Sequence, residues 1–380
     1  MLSDLSGYLE VDKQKKRMID SIIRHGRERE MRLSMVEFSE CFDECVMDDI
    51  PSTKYCPECH KKFPEDENFC YDCLIGLKHI SDIRDVRDIK AKPEFEFDGS
   101  NDFSSFEDIF TPENVERIDS FNFTITDYRR ILKAIKKTAF ENFDDLVKSN
   151  GLVLDYLDIL DKVLLFSKSF VEVGFKSYGQ ELGIYTFNRI DIDDRQSSAL
   201  QITTLIHELS HFLLKEILTQ TLCSILDCSK NSYIEAIATF ISLYSPFTRL
   251  IDEYAAHTVE GRFTMYGYQD YSSFIQIERS LEGEMSRDEI EITKSIGNTF
   301  AISIKKILES YIDRDLRKDI KDQFLLDIRD SPNYDMLRLE NCDKLTSEGF
   351  LKSIWLILTE GFEAASRNIS KLTEYENCFE

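Results

Sequence analysis

At 380 residues the chain can bury a large core and hold more than one module. Lys and Arg number 47 against 71 Asp and Glu, a net charge of −24, and such a field disfavours general binding to nucleic-acid phosphates or anionic membranes. No apolar leader opens the sequence and no run approaches about 18 apolar residues, so neither an export signal nor a membrane span is expected. A cytoplasmic location with reduced thiols is then the simpler expectation for its cysteines.

Residues 1–50 are charged, and Met18, Ile19, Ile22 and Ile23, then Met31, Leu33, Met35 and Val36, predict one or two amphipathic helices. Residues 52–78 differ in kind. Cys56 and Cys59, then Cys70 and Cys73, are two C-x-x-C pairs separated by ten residues. Each pair lets two thiolates grip one ion from a tight turn, and two such turns close a tetrahedral site. So short a segment cannot fold on its own core, so a metal is expected to stabilise it. The stretch resembles zinc ribbons, except that His60 and Leu74 stand where glycine usually follows the second cysteine of each pair. The resemblance implies one structural zinc ion on Cys56, Cys59, Cys70 and Cys73. Lysines and acids balance here, so a structural ribbon, or one that meets a protein partner, is expected rather than a nucleic-acid reader.

Residues 79–116 read as an acidic linker, interrupted by Pro93, Gly99, Ser100 and Pro112. The core is expected over 117–280. Thr126 and Asp127 open a helix with Tyr128, Ile131, Leu132 and Ile135 on one face, ended by Ser149, Asn150 and Gly151. Leu152 to Phe170 is apolar enough for a buried helix. Val171 to Phe175 and Leu182 to Ile192 alternate in the manner of strands and predict an antiparallel hairpin with its turn near Gly179. An open strand there could pair with an extended peptide. A long helix follows from Ser197 and Ser198 to about Leu226, then a turn over 227–232. The next helix, from Tyr233 to about Tyr244, is checked by Pro246 and resumes from Arg249 to Val259. Residues 281–380 are helical in pattern over Ile290 to Ile312, Leu316 to Ile328 and Leu345 to Leu372.

The long helix carries His207, Glu208 and His211 in the order His-Glu-x-x-His. Side chains at i and i+4 share a helix face, so the two imidazoles can meet one ion while Glu208 lies beside the water it would hold. Leu205, Ile206, Leu209, Phe212 and Leu213 supply an apolar stripe, and Thr204, His207, Glu208 and His211 a polar seam. A solvated helix with two surface histidines fits this alternation poorly, because buried polar groups need a strong partner.

A third protein ligand must come from downstream, and Glu235 and Glu253 compete for the place. At 1.5 Å per residue, a helix running on to Leu226 carries its turn roughly 22 Å from the metal, too far for Glu235 to return. Glu253 lies about as far after the turn as the histidines lie before it. An earlier helix end, near Gln220, would favour Glu235 instead. His257, one turn beyond Glu253, could orient that carboxylate or donate to an oxyanion.

Residues 170–270 resemble the gluzincin metallopeptidases. Glu235 stands in a Glu-Ala-Ile segment like that of the thermolysin-like enzymes, with Thr239 in place of their aspartate. Glu253 stands in a Glu-x-x-Ala segment, with His257 where aspartate is common. The resemblance implies an α+β, mostly α fold: a zincin-like core of a short antiparallel sheet and the motif helix, with helical flanks and the small ribbon. It also implies hydrolysis of a peptide or protein substrate, with one catalytic zinc on His207, His211 and a glutamate, and Glu208 as general base. A catalytically inactive zincin scaffold serving as a regulatory interaction module is the alternative, and Glu208 discriminates between the two, since metal binding alone does not require it.

Overall fold

The structure, a computed structural model, describes residues 101–176, 181–264, 272–280, 286–328 and 347–379, with five two-residue strands between 54 and 79. Those strands are β1 (Lys54–Tyr55), β2 (Lys62–Phe63), β3 (Phe69–Cys70), β4 (Ile75–Gly76) and β5 (Lys78–His79). β1 pairs antiparallel with β2 and β5, and β3 with β4. Cys56 and Cys59 therefore fall in the β1–β2 connection, and Cys70 and Cys73 at the end of β3 and in the β3–β4 connection. The four-thiolate site itself lies outside the described residues, as does the helical segment expected over 1–50.

The body is mostly helical with a small three-stranded sheet. Its described part begins inside the stretch read as a linker. Asn101 bridges to Cys228, and Tyr233 donates from its hydroxyl to the Ser104 carbonyl at 2.7 Å. Short helices α1 (Phe106–Ile109) and α2 (Pro112–Ser120) follow, with Phe106, Ile109 and Ile118 in the main core. The isolated apolar residues of an acidic stretch are thus what anchors it.

α3 (Ile125–Asn150) starts at a capping box formed by Thr124 and Asp127 and stops at Gly151, whose left-handed φ of 61° a side chain would disfavour. The helix expected over 152–170 is shorter. Asp158 caps α4 (Ile159–Lys168), and the preceding residues make an extended entry and one 3-10 turn.

The sheet departs from the expected hairpin. β6 (Glu172–Phe175) does not pair with the next strand, and the stretch 182–192 is itself a hairpin of β7 (Gly183–Thr186) and β8 (Arg189–Ile192). The order is β6-β8-β7, with β8 parallel to β6 and antiparallel to β7, so the sheet is mixed rather than antiparallel. The turn falls at Phe187 and Asn188, where Phe187 takes a left-handed φ of 52° unusual for an aromatic residue. Phe379 and Tyr375 pack against its ring at 5.4 and 6.2 Å between centroids, so the chain's end holds the turn in place.

α5 (Ser198–Leu226) runs through the middle of the body, ends at left-handed Asp227, and is apolar or satisfied nearly all round. Its buried hydroxyls at Thr203, Ser210, Thr219 and Thr221 each donate to a carbonyl one turn back, which spares them unpaired burial. α6 (Ser232–Leu243), α7 (Pro246–Phe263), α3, α4, β7 and β8 pack around it. Pro246 opens α7 at its first position instead of interrupting a helix, because its missing N–H is there unneeded. α8 (Ser272–Ser280), α9 (Arg287–Leu308), α10 (Arg314–Ile328), α11 (Ser347–Ser366) and α12 (Ile369–Glu376) complete the described chain. No helix among the described residues is long and apolar enough to cross a membrane.

Candidate metal centre

One helical turn separates His207 and His211, and their Nε2 atoms face each other at 3.2 Å. α7 packs across α5 and brings Glu253 Oε2 to 3.7 Å from His207 Nε2 and 4.0 Å from His211 Nε2. The ligand atoms of these residues can all reach one ion. Tetrahedral coordination at about 2.0–2.1 Å puts neighbouring ligand atoms about 3.3–3.4 Å apart. The observed edges differ from that by no more than small rotations of three side chains.

Each imidazole is backed by a carboxylate that the sequence reading did not single out. His207 Nδ1 lies 3.1 Å from Glu260 Oε2. His211 Nδ1 lies 2.9 Å from Asp252 Oδ1. A carboxylate behind Nδ1 favours the proton there and leaves the Nε2 lone pair pointing forward. Two such lone pairs opposed at 3.2 Å, beside Glu253, repel unless a cation lies among them. A divalent ion fits that demand.

Without a metal, protons meet it. Burial opposes charge on His207, but Glu253 and Glu260 outweigh it and hold the imidazole well above its ordinary range. At His211 burial is likewise outweighed, by Asp252 and Glu253, and the group is pushed up to about 9. Burial pushes the Glu208 carboxyl up, with His207 and His211 pulling the other way.

His257 is only 3 % exposed, and its Nδ1 lies 3.4 Å from the Glu260 oxygen that also meets His207. Burial and the neighbouring charge of His207 hold it below its ordinary value. It therefore sits on the Nδ1 side of His207, behind the nitrogen that faces Glu253. That position suits orienting Glu260, and His257 does not join the group of His207, His211 and Glu253. His207, His257 and Glu260 also bring ligand atoms within reach of one another. Two ring nitrogens converging on one buried carboxylate account for that grouping.

Glu235 lies elsewhere. Its Oε1 is 3.2 Å from Lys215 Nζ and 3.1 Å from Lys230 Nζ, in a buried ion-pair cluster one turn beyond His211. α5 does run to Leu226, which puts Glu235 at that level and leaves Glu253 at the histidines.

Glu208 is 8 % exposed and lies against Gly183 of β7. A Cβ on Gly183 would stand 3.1 Å from Glu208 Oε1 and 2.3 Å from Thr204 Cγ2, so only glycine admits this approach. One signal for the missed carboxylates was present in the sequence. Glu253, His257 and Glu260 stand at i, i+4 and i+7, on one helix face. Comparison with protein-family models, curated proteins and solved structures finds nothing that matches this chain.

Proposed function

We propose that this chain is a zinc-dependent peptidase of the gluzincin type, with zinc held by His207, His211 and Glu253 and with Glu208 as general base. The observation that carries the reading is the convergence of two backed Nε2 atoms and one carboxylate oxygen, at separations of 3.2, 3.7 and 4.0 Å, beside a buried glutamate. Three donors of this kind leave one coordination position open, as a hydrolytic site requires. Bound there, zinc supplies an acidified water and Lewis-acid pull on a carbonyl.

The chain's own groups do the rest. Glu208 takes a proton from the attacking water and returns it to the leaving amine as the C–N bond breaks. Glu260 and Asp252 hold the imidazoles in the tautomer that keeps Nε2 forward. β7 has no strand beyond it among the described residues, and its free edge can hold an extended peptide through main-chain hydrogen bonds. The motif helix and the sheet just before it make up the zincin-like core of this reading. Glu208 beside the ligands favours turnover over an inactive scaffold, because a metal site alone has no use for it. The second zinc would be structural, on Cys56, Cys59, Cys70 and Cys73, with a protein partner at the ribbon.

Metal analysis of the full chain tests the reading alongside hydrolysis of a mixture of quenched fluorescent peptides. His211→Ala is expected to lose about one zinc ion per chain. Wild-type hydrolysis should stop on chelation and return with added zinc. A wild type that holds the metal and cleaves nothing in the mixture sinks the peptidase reading. Removing the support behind one imidazole should act more mildly. Asp252→Ala is expected to weaken zinc affinity by about 10–100-fold, read by competition with a chromophoric chelator.

A further inference from the structure

Asp252 and Glu253 sit on one turn of α7, and that turn must be held at a fixed distance from α5. The far flank of the helix shows how. A glycine inside a helix weakens it relative to alanine, yet α9 carries Gly297 buried in its interior. A Cβ there would stand 3.0 Å from the Ile251 carbonyl oxygen, 3.0 Å from Tyr254 Cδ1 and 3.2 Å from Tyr254 Cβ. α9 is therefore seated almost on the backbone of α7, at the two residues that bracket Asp252 and Glu253. At about 100° per residue, Ile251 and Tyr254 lie roughly 160° and 100° round the helix from Glu253. α9 thus presses on the side of α7 turned away from the histidines.

Neither neighbour yields cheaply. The Ile251 oxygen is main chain. The Tyr254 ring is buried and packs edge-on against Phe274, 5.2 Å between centroids. On its other side α7 has no slack. Asp252 Oδ1 already lies 2.9 Å from His211 Nδ1, and Glu260 Oε2 lies 3.1 Å from His207 Nδ1, so an inward shift would compress both pairs. We propose that Gly297 is a positioning residue for the metal centre: by admitting α9 to the back of α7, it sets the level at which Asp252 backs His211 and Glu253 meets the two Nε2 atoms. This rests on the ligand set of the proposed function and not on the hydrolytic step. Gly297 acts through α7 and not on the ion.

Competition with a chromophoric chelator on the full chain reads this without reference to turnover, following the zinc ion that His211→Ala lacks. Gly297→Ala should weaken the hold on that ion by about tenfold, as loss of an outer support does. Gly361→Ala is the matched control, on a pair of helices that carries no ligand. A Cβ at Gly361 would stand 2.7 Å from two Ile241 side-chain carbons, so it crowds α11 against α6. It should lower the melting temperature and leave zinc affinity unchanged. The visible bands of cobalt(II), taken as the difference from His211→Ala, report ligand geometry and should shift in Gly297→Ala but not in Gly361→Ala. If Gly297→Ala does not fold, Tyr254→Ala decides: it opens space behind the same turn and should weaken the zinc by a similar factor, and unchanged binding there overturns the proposal. Gly297→Ala that binds zinc and cobalt as wild type does overturns it too. So does a loss of affinity equalled in Gly361→Ala, which would trace the effect to general loosening. A wild type that holds no more zinc than His211→Ala overturns the ligand set itself, a result distinct from the others.

Discussion

Glu208→Gln is expected to keep its zinc and lose hydrolysis by about 10²–10⁴-fold, the range that a positioned general base contributes. The substitution preserves shape and removes only the ability to accept a proton from water. Gly183 leaves room beside this position for either side chain. Burial already pushes the Glu208 carboxyl up, which means that the fold resists the charge there. A neutral amide should therefore leave thermal stability unchanged or slightly raised. Zinc content, melting temperature and kcat measured on one preparation separate the possibilities. Loss of zinc along with activity would make Glu208 a ligand and would remove the base from the mechanism.

Much of this centre is legible in the sequence, because its signal is local. The four-residue spacing of His207 and His211 is a statement about one helix face. The length of α5 could be judged from an apolar rhythm unbroken by glycine or proline as far as Leu226, and that length set the level at which Glu253 meets the histidines. The carboxylates behind the imidazoles were harder. Asp252 adjoins the favoured ligand and Glu260 lies two turns beyond it, but in a chain with 71 acidic residues neither stands out by composition. Only packing of α7 on α5 shows that Glu260, with no exposure, faces His207.

The sheet was misread for a physical reason. Val171 to Phe175 and the strands after it have the right alternation, yet alternation is blind to pairing partners and direction. The turn at Phe187 and Asn188 was hidden because an aromatic residue in a left-handed conformation carries no turn signature. Its support comes from Tyr375 and Phe379, nearly two hundred residues away in sequence. The same holds for Gly183. Its role depends on Thr204 and Glu208 lying opposite, which sequence spacing does not reveal.

The strongest effect on stability is expected just below the metal site, where α5 carries Lys215 and Glu216 into the core. Glu216 is fully buried, accepts from Gln220 Nε2 at 2.8 Å and lies 2.9 Å from Lys230 Nζ. Lys230 also reaches Glu235, which in turn meets Lys215, and Lys215 donates to Asn188 Oδ1 at 3.0 Å. Two ammonium groups thus balance two carboxylates with little water between them. Lys230→Ala leaves both carboxylates facing Lys215 alone, and breaking a buried pair from one side costs about 3–5 kcal/mol. For a body of this size that is a fall in melting temperature of roughly 10 °C. The pH dependence identifies the cause. Burial pushes the Glu216 carboxyl up, but Lys230, Lys215 and Gln220 together hold it below its ordinary value of 4.5. A carboxyl depressed by folding contributes stability that is present above its unfolded value and is lost as pH falls through the lower folded value. Without Lys230 the burial effect prevails and the folded carboxyl rises instead, so protonation now favours the folded state. The gap between wild type and Lys230→Ala should therefore be widest near pH 7 and should narrow as pH falls toward 4.5, measured on metal-free protein so that zinc release does not enter. A gap that stays constant over that range would trace the destabilisation to lost packing of the lysine stem and not to the stranded charge.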